Sequence, residues 1–220
     1  YSPLCDAAAV YDRRVGGDTI TFGVSGLLLA SNPLLYERTA AIAIPVAGPS
    51  VVSAISSLWR QLDGRAVTGP RGGSTLQLLP AALVPWSIWM DEHPGTTVIA
   101  RDPSFADRYR RDPYSTYAGD DRLRFPVDPL PDDSTGAAKQ RVLWVRCAQA
   151  IAVIPWEVAA ARGGPTGRWQ TEVGGIPIVV RSTARPATVW LEGPPEVDAR
   201  SCYWFAAFAA EPGLASHLLR

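Results

Sequence analysis

The chain has 220 residues, 47% hydrophobic and 19% charged, which is enough apolar material for a sizeable core and too much for a disordered chain. Its 21 basic and 21 acidic side chains cancel, and that balance excludes a dedicated nucleic-acid binder with a basic face. Three cysteines in this length exclude a disulfide-stapled scaffold. Lys139 is the only lysine, and the arginine and alanine bias reads as the codon usage of a G+C-rich genome rather than as arginine chemistry. The chain opens on Tyr1, which is read as cleavage or loss of a preceding segment.

In chain order, the first third predicts strands. Gly16-Gly17-Asp18 between two β-rich runs is a hairpin signal. Over Thr19–Val24, Ile20, Phe22 and Val24 alternate with Thr19, Thr21 and Gly23, the period of a half-buried strand. Ser25-Gly26 predicts a turn, Ser31-Asn32-Pro33 another, and Leu34–Glu37 a short strand. The uncharged run from Thr39 to Trp59 is long enough to cross a bilayer, but Pro45 and Pro49 would each break a helix at about 3 kcal/mol. It is read as an apolar loop or hairpin packed on the domain. Ala66–Thr68 and Thr75–Leu79 read as strands. The period then changes: Trp86, Trp89 and Met90 after Pro85 predict a helix that stops near His93-Pro94. Thr96–Ala100 returns to strand character.

Residues 101–140 are polar, hold five prolines and show no period, which predicts a long surface connection. Beyond it, Val142–Val145, Ile151–Ile154, Ile176–Val180 and Thr188–Leu191 read as strands. Pro155–Arg162 reads as a short helix closed by Gly163-Gly164, and Cys202–Glu211 as a last helix ended by Pro212. The expected fold class is α+β, mainly β. Two similar β-rich halves, 1–100 and 141–220, would each carry a short helix and be joined by the polar connection over 101–140. Trp86–Pro94 and Trp204–Pro212 share one spacing. An internal repeat accounts for it, and so do two unrelated helices that both end at proline.

Asp12, Arg13, Asn32, Tyr36, Trp59 and Gln61 fall near turns of the first half. An aromatic wall with amide and charged groups suits a small-molecule pocket, while core packing for Trp59 and a surface ion pair for the rest is the alternative. Of the two histidines, His217 is expected in solvent. His93 is expected to cap a helix end, acid–base or ligand work being its other reading. There is no Gly-x-Ser-x-Gly elbow, no His-Glu-x-x-His pair and no phosphate loop. Gly69–Gly73 reads as a turn, and Asp120-Asp121 and Asp132-Asp133 as solvated carboxylates. The residues name no cofactor and no metal-ligand set.

Several runs share a pattern. They are Tyr1-Ser2-Pro3-Leu4-Cys5, Tyr11-Asp12-Arg13, Phe22-Gly23-Val24-Ser25-Gly26-Leu27-Leu28 and Leu34-Leu35-Tyr36-Glu37-Arg38. Ser57-Leu58-Trp59-Arg60-Gln61, Trp86-Ser87-Ile88-Trp89, Lys139-Gln140-Arg141-Val142-Leu143 and Tyr203-Trp204-Phe205-Ala206 complete it. Together they resemble DUF3179, a bacterial and archaeal domain family of unknown function. The resemblance implies an extracytoplasmic, cell-envelope location, with membrane association only through a preceding signal or anchor. It also marks three departures. Ser2 stands where the family carries the first cysteine of a Cys-x-x-Cys pair. Ala40–Ser56 reads as an insertion. The family's segment before the cysteine motif is expected to be absent, which would leave an edge strand near Tyr1 unpaired.

A Cys-x-x-Cys pair supports thiol–disulfide exchange or soft-metal binding. With Ser2 present, Cys5 is read either as a small buried residue of a strand turn or as a reactive or ligating thiol. Cys147 or Cys202 would pair with it only within about 7 Å between α-carbons. Two functions stay open. One is an extracytoplasmic ligand-binding or structural module using Cys5, Asp12, Asn32, Tyr36, Trp59, Gln61 and His93, with a small molecule as partner. The other is a thiol- or metal-dependent enzyme, degenerate at Ser2.

Overall fold

A computed structural model describes residues 1–38 and 56–219. It is mainly β, 36% strand against 22% helix, so the α+β, mainly β class holds. The first half begins with the hairpin β1 (Arg14–Val15) and β2 (Asp18–Thr19). It continues as an antiparallel sheet of β3 (Phe22–Leu29), β4 (Asn32–Glu37), β5 (Leu58–Arg60) and β6 (Ala66–Thr68), in that order. Ile20, Trp59, Ala66 and Leu76 form its core. The helix α1 (Trp86–Glu92) follows. The connection holds only short helical turns, among them α2 (Ala106–Tyr109).

In the second half, β7 (Arg141–Cys147) and β8 (Ala150–Pro155) form a hairpin, and the helix α3 (Trp156–Gly163) leads on to a second antiparallel sheet. That sheet is the meander β9 (Arg168–Val173), β10 (Ile176–Ala184) and β11 (Ala187–Glu192). β12 (Val197–Tyr203) then returns to pair with β7, and α4 (Trp204–Ala210) follows it directly. Leu143, Val145, Ile154, Val180 and Val189 pack between the two sheets, with Ala159 of α3 among them. Gly167 permits the tight entry to β9. Its φ is +59°, and a Cβ there would lie 2.1 Å from the Ser182 carbonyl oxygen.

The remaining core draws on both halves and the connection. Leu4, Cys5, Ala7 and Leu62 meet Tyr117 of the connection, Val142 and Trp144 of β7, Cys202 and Tyr203 of β12, and Trp204–Ala207 of α4. Burying one such large side chain contributes about 1.5–3 kcal/mol, so this junction of segments is a major source of stability. The two halves differ in strand order: one four-stranded meander against two three-stranded sheets.

Several expected elements differ. Ser25-Gly26 is not a turn but an irregularity inside β3, where the register shifts between Val24 and Leu28. Val24, the last residue before the shift, is 74% exposed rather than buried with Ile20. Thr96–Ala100 forms no strand, because no neighbouring strand offers a ladder there and Ile99 is 97% exposed. Thr75–Leu79 reduces to single bridges at Thr75 and Leu78. Cys202 and Tyr203 belong to β12 rather than to the last helix, and β9 had no clear sequence signal. No helix among the described residues is long and apolar enough to cross a membrane. The insertion expected over Ala40–Ser56 lies outside the described residues except for Ser56, whose hydroxyl binds the Glu37 backbone.

Candidate functional site

Residues 2–7 form a loop closed by reciprocal backbone hydrogen bonds between Ser2 and Ala7, with Asp6 at φ +47°. The loop docks on the outer edge of β12, where the Tyr203 N–H donates to the Cys5 carbonyl at 2.8 Å. Cys5 points inward and is fully buried. Facing it is the turn between β3 and β4, built on two left-handed residues, Ala30 and Ser31. This turn presents Asn32. The Asn32 amide donates to Cys5 Sγ at 3.5 Å and to Gln61 Oε1 at 3.1 Å, and its oxygen accepts from the Leu62 N–H at 3.0 Å. Gln61 in turn donates to the Ala7 carbonyl, and the Cys5 thiol reaches the Ser31 carbonyl at 3.4 Å.

Cys5, Asn32 and Gln61 therefore converge in one buried polar network. Burial pushes the Cys5 thiol up to about 11, against the opposing pull of the Asn32 amide and the neighbouring Ser2. At neutral pH it is a thiol, which is a poor nucleophile. Ser2 Oγ is buried beside it without a hydrogen bond of good geometry.

The other predicted site residues lie elsewhere. Trp59 is fully buried in the first-half core, its indole N–H donating to Glu37 Oε1 at 2.8 Å and its ring edge-on to Phe22. Tyr36 lies over Gly23, where a Cβ would meet its ring at 2.5 Å. Asp12 pairs with Arg14 in solvent, and hydrogen bonds from Arg14 hold its carboxyl down to about 2. His93 stacks on Trp89 at 4.0 Å between ring centroids, at the exposed end of α1. The single pocket expected from these seven residues thus divides into a buried network and four separate positions. Period-two alternation suggested that Trp59 and Gln61 share a face, but Gln61 already lies past the end of β5 and turns toward Asn32.

On its outward side the same loop borders a cavity of about 380 Å³, walled by Tyr1, Asp6, Tyr114, Tyr117, Arg141 and Tyr203. Asp6 accepts from the Tyr1 hydroxyl at 2.8 Å and from Arg141 Nε at 2.6 Å, so the charged pair is neutral overall. The Arg141 guanidinium also covers the Trp156 ring at 4.9 Å. Burial first, and for Tyr1 the bond to Asp6 next, raises the phenols: Tyr117 is pushed up to about 12, with Tyr1 and Tyr203 also shifted upward. They remain hydrogen-bond donors at any physiological pH. Lys139 lies 3.6 Å from the centroid of the Tyr117 ring and against the Tyr117 and Asp120 carbonyls, tying the connection to the site. Desolvation lowers its pKa. Sequence reasoning missed the cavity. Arg141 stood in a recognisable run and Lys139 was singular, but nothing local links them to residues 1–6. Among the described residues, no group of three or more His, Cys, Asp and Glu side chains is placed to hold a metal ion.

Fold and site define a mainly β domain built around a buried thiol loop, with a tyrosine-walled cavity on the loop's outer face. The chain belongs to DUF3179, whose family model, described as a protein of unknown function, matches residues 1–201. No curated protein and no solved structure matches the chain.

Proposed function

We propose that this protein is a small-molecule binding module whose site is the cavity walled by Tyr1, Asp6, Tyr114, Tyr117, Arg141 and Tyr203. The observation that carries this reading is the combination of a 380 Å³ hollow, phenolic walls and a fixed Asp6–Arg141 pair. Ligand sites combine apolar or aromatic surface with a few held polar groups in this way. The buried Cys5–Asn32–Gln61 network supports the loop from behind, so the thiol serves as a packing element of the site. The alternative of thiol or metal chemistry at Cys5 has less support, since its sulfur is fully buried and stays protonated. The extracytoplasmic location belongs to the same proposal and rests on the family resemblance. Fractionation of cells expressing the native gene tests it.

A ligand-observed NMR screen of neutral polyols, sugars and small carboxylates tests the binding reading. At least one class should bind and lose its signal in Ser115→Trp, which fills the cavity from its rim. Hits that persist in that variant, or no hits, would overturn it.

A further inference from the structure

The chain's three cysteines divide unequally between its cores. Cys147 lies between the sheets of the second half. Cys5 and Cys202 lie together in the junction core, both fully buried. All three are free thiols in this structure, and the backbone sets an upper limit on the separation of Cys5 and Cys202. The Tyr203 N–H belongs to the peptide that follows Cys202, and it donates to the carbonyl of Cys5 at 2.8 Å. Standard bond lengths then limit the Cys5 and Cys202 α-carbons to at most about 7.6 Å, and to less for any bent arrangement. Disulfides span about 4.4–6.8 Å between α-carbons. The two thiols also feel each other: a charge on Cys5 raises the pKa of Cys202 further, after burial.

We propose that Cys5 and Cys202 form a long-range disulfide under oxidising conditions, stapling the opening loop to β12. The Cys5 thiolate attacks a small-molecule or protein disulfide oxidant, releasing one thiolate and leaving a mixed disulfide on Cys5. The Cys202 thiolate then displaces the second thiolate. The two protons lost by the cysteines pass to the two released thiolates, and the two electrons lost by the pair reduce the oxidant. Because both sulfurs are inaccessible in the folded chain, exchange takes place while residues 1–7 are undocked, before the loop closes on β12. The staple holds in place the loop that carries Tyr1 and Asp6. It does not depend on whether the cavity binds a ligand.

The test is to refold the full chain in glutathione with glutathione disulfide, alkylate in denaturant, digest without reduction and map the peptides. The expected result is a linked peptide pair carrying Cys5 and Cys202, with Cys147 alkylated. Alkylation of all three cysteines, or a link through Cys147, overturns the proposal. Oxidation should also raise Tm by roughly 5–10 °C in Cys147→Ala and leave Tm unchanged in Cys202→Ala. An equal shift in both variants overturns it. The wild-type peptide map keeps the proposal falsifiable if Cys202→Ala does not fold.

Discussion

Two seven-residue helices in this protein start alike and end alike. α1 opens on Trp86 after Pro85 and stops before Pro94-Gly95; α4 opens on Trp204 and stops before Pro212-Gly213. Their surroundings are opposite. α1 buries none of its residues, its Trp86 is 55% exposed, and Trp89 satisfies its indole N–H on nearby Thr96. α4 buries Trp204, Phe205, Ala206 and Ala207. Its first N–H groups are taken by the Gln140 and Ala138 carbonyls, and the Trp204 indole donates to Thr135. The difference lies in what shares the helix with the tryptophans. α1 carries Ser87, Asp91 and Glu92, whereas α4 has no polar side chain, and a helix apolar on all sides must be buried. Spacing specifies a helix; the full set of its side chains specifies where it goes.

That contrast can be broken by mutation. Trp204→Ala should cost about 3–5 kcal/mol in a urea titration, because it opens a cavity in the junction core. A loss under 1 kcal/mol would show that α4 is not anchored as described. Asn32→Ala, in the network beneath the same core, should cost about 2–3 kcal/mol, because it leaves the Leu62 N–H and Gln61 Oε1 without partners. The thiol next to it supplies a pH test. Its folded pKa of about 11 lies above the ordinary thiol value of 9.0, so the unfolded chain loses that proton first. Stability should therefore fall between pH 9 and pH 11, by about 2 kcal/mol from this group, and Cys5→Ala should fall by correspondingly less. Equal alkaline slopes in the two proteins would contradict the buried placement. The smallest effect belongs to the other helix: Trp86→Ala should change stability by no more than about 0.5 kcal/mol. A larger loss would mean that α1 is covered after all.

Much of the fold was legible. The strands at Leu34–Glu37, Val142–Val145 and Ile176–Val180 and both tryptophan-led helices followed from period and from punctuation by glycine and proline. The strand expected over Thr96–Ala100 failed because β-propensity gives a segment only a preference, and a strand exists where a partner supplies its hydrogen bonds. β12 was missed for the converse reason. Asp198, Arg200 and Ser201 dilute its pattern, yet β7 pairs with it along its whole length. Of the candidate site residues, Cys5, Asn32 and Gln61 meet because two turns face each other. Trp59, Tyr36, Asp12 and His93 do not join them, because nearness to a turn in sequence carries no direction in space.

By itself the sequence determined the β-rich class, the family to which the chain belongs, the local helices and turns, and the singular status of Cys5 and Lys139. These are properties of neighbours along the chain, set by side-chain period, backbone preference and motif order. Only the tertiary structure decided that the opening loop seats on β12, that Cys5 lies with Cys202 rather than Cys147, and that Asp6 and Arg141 wall one cavity with Tyr117. Each of these joins residues separated by more than a hundred positions, and such contacts are fixed by which apolar surfaces bury one another, a condition that no local pattern encodes.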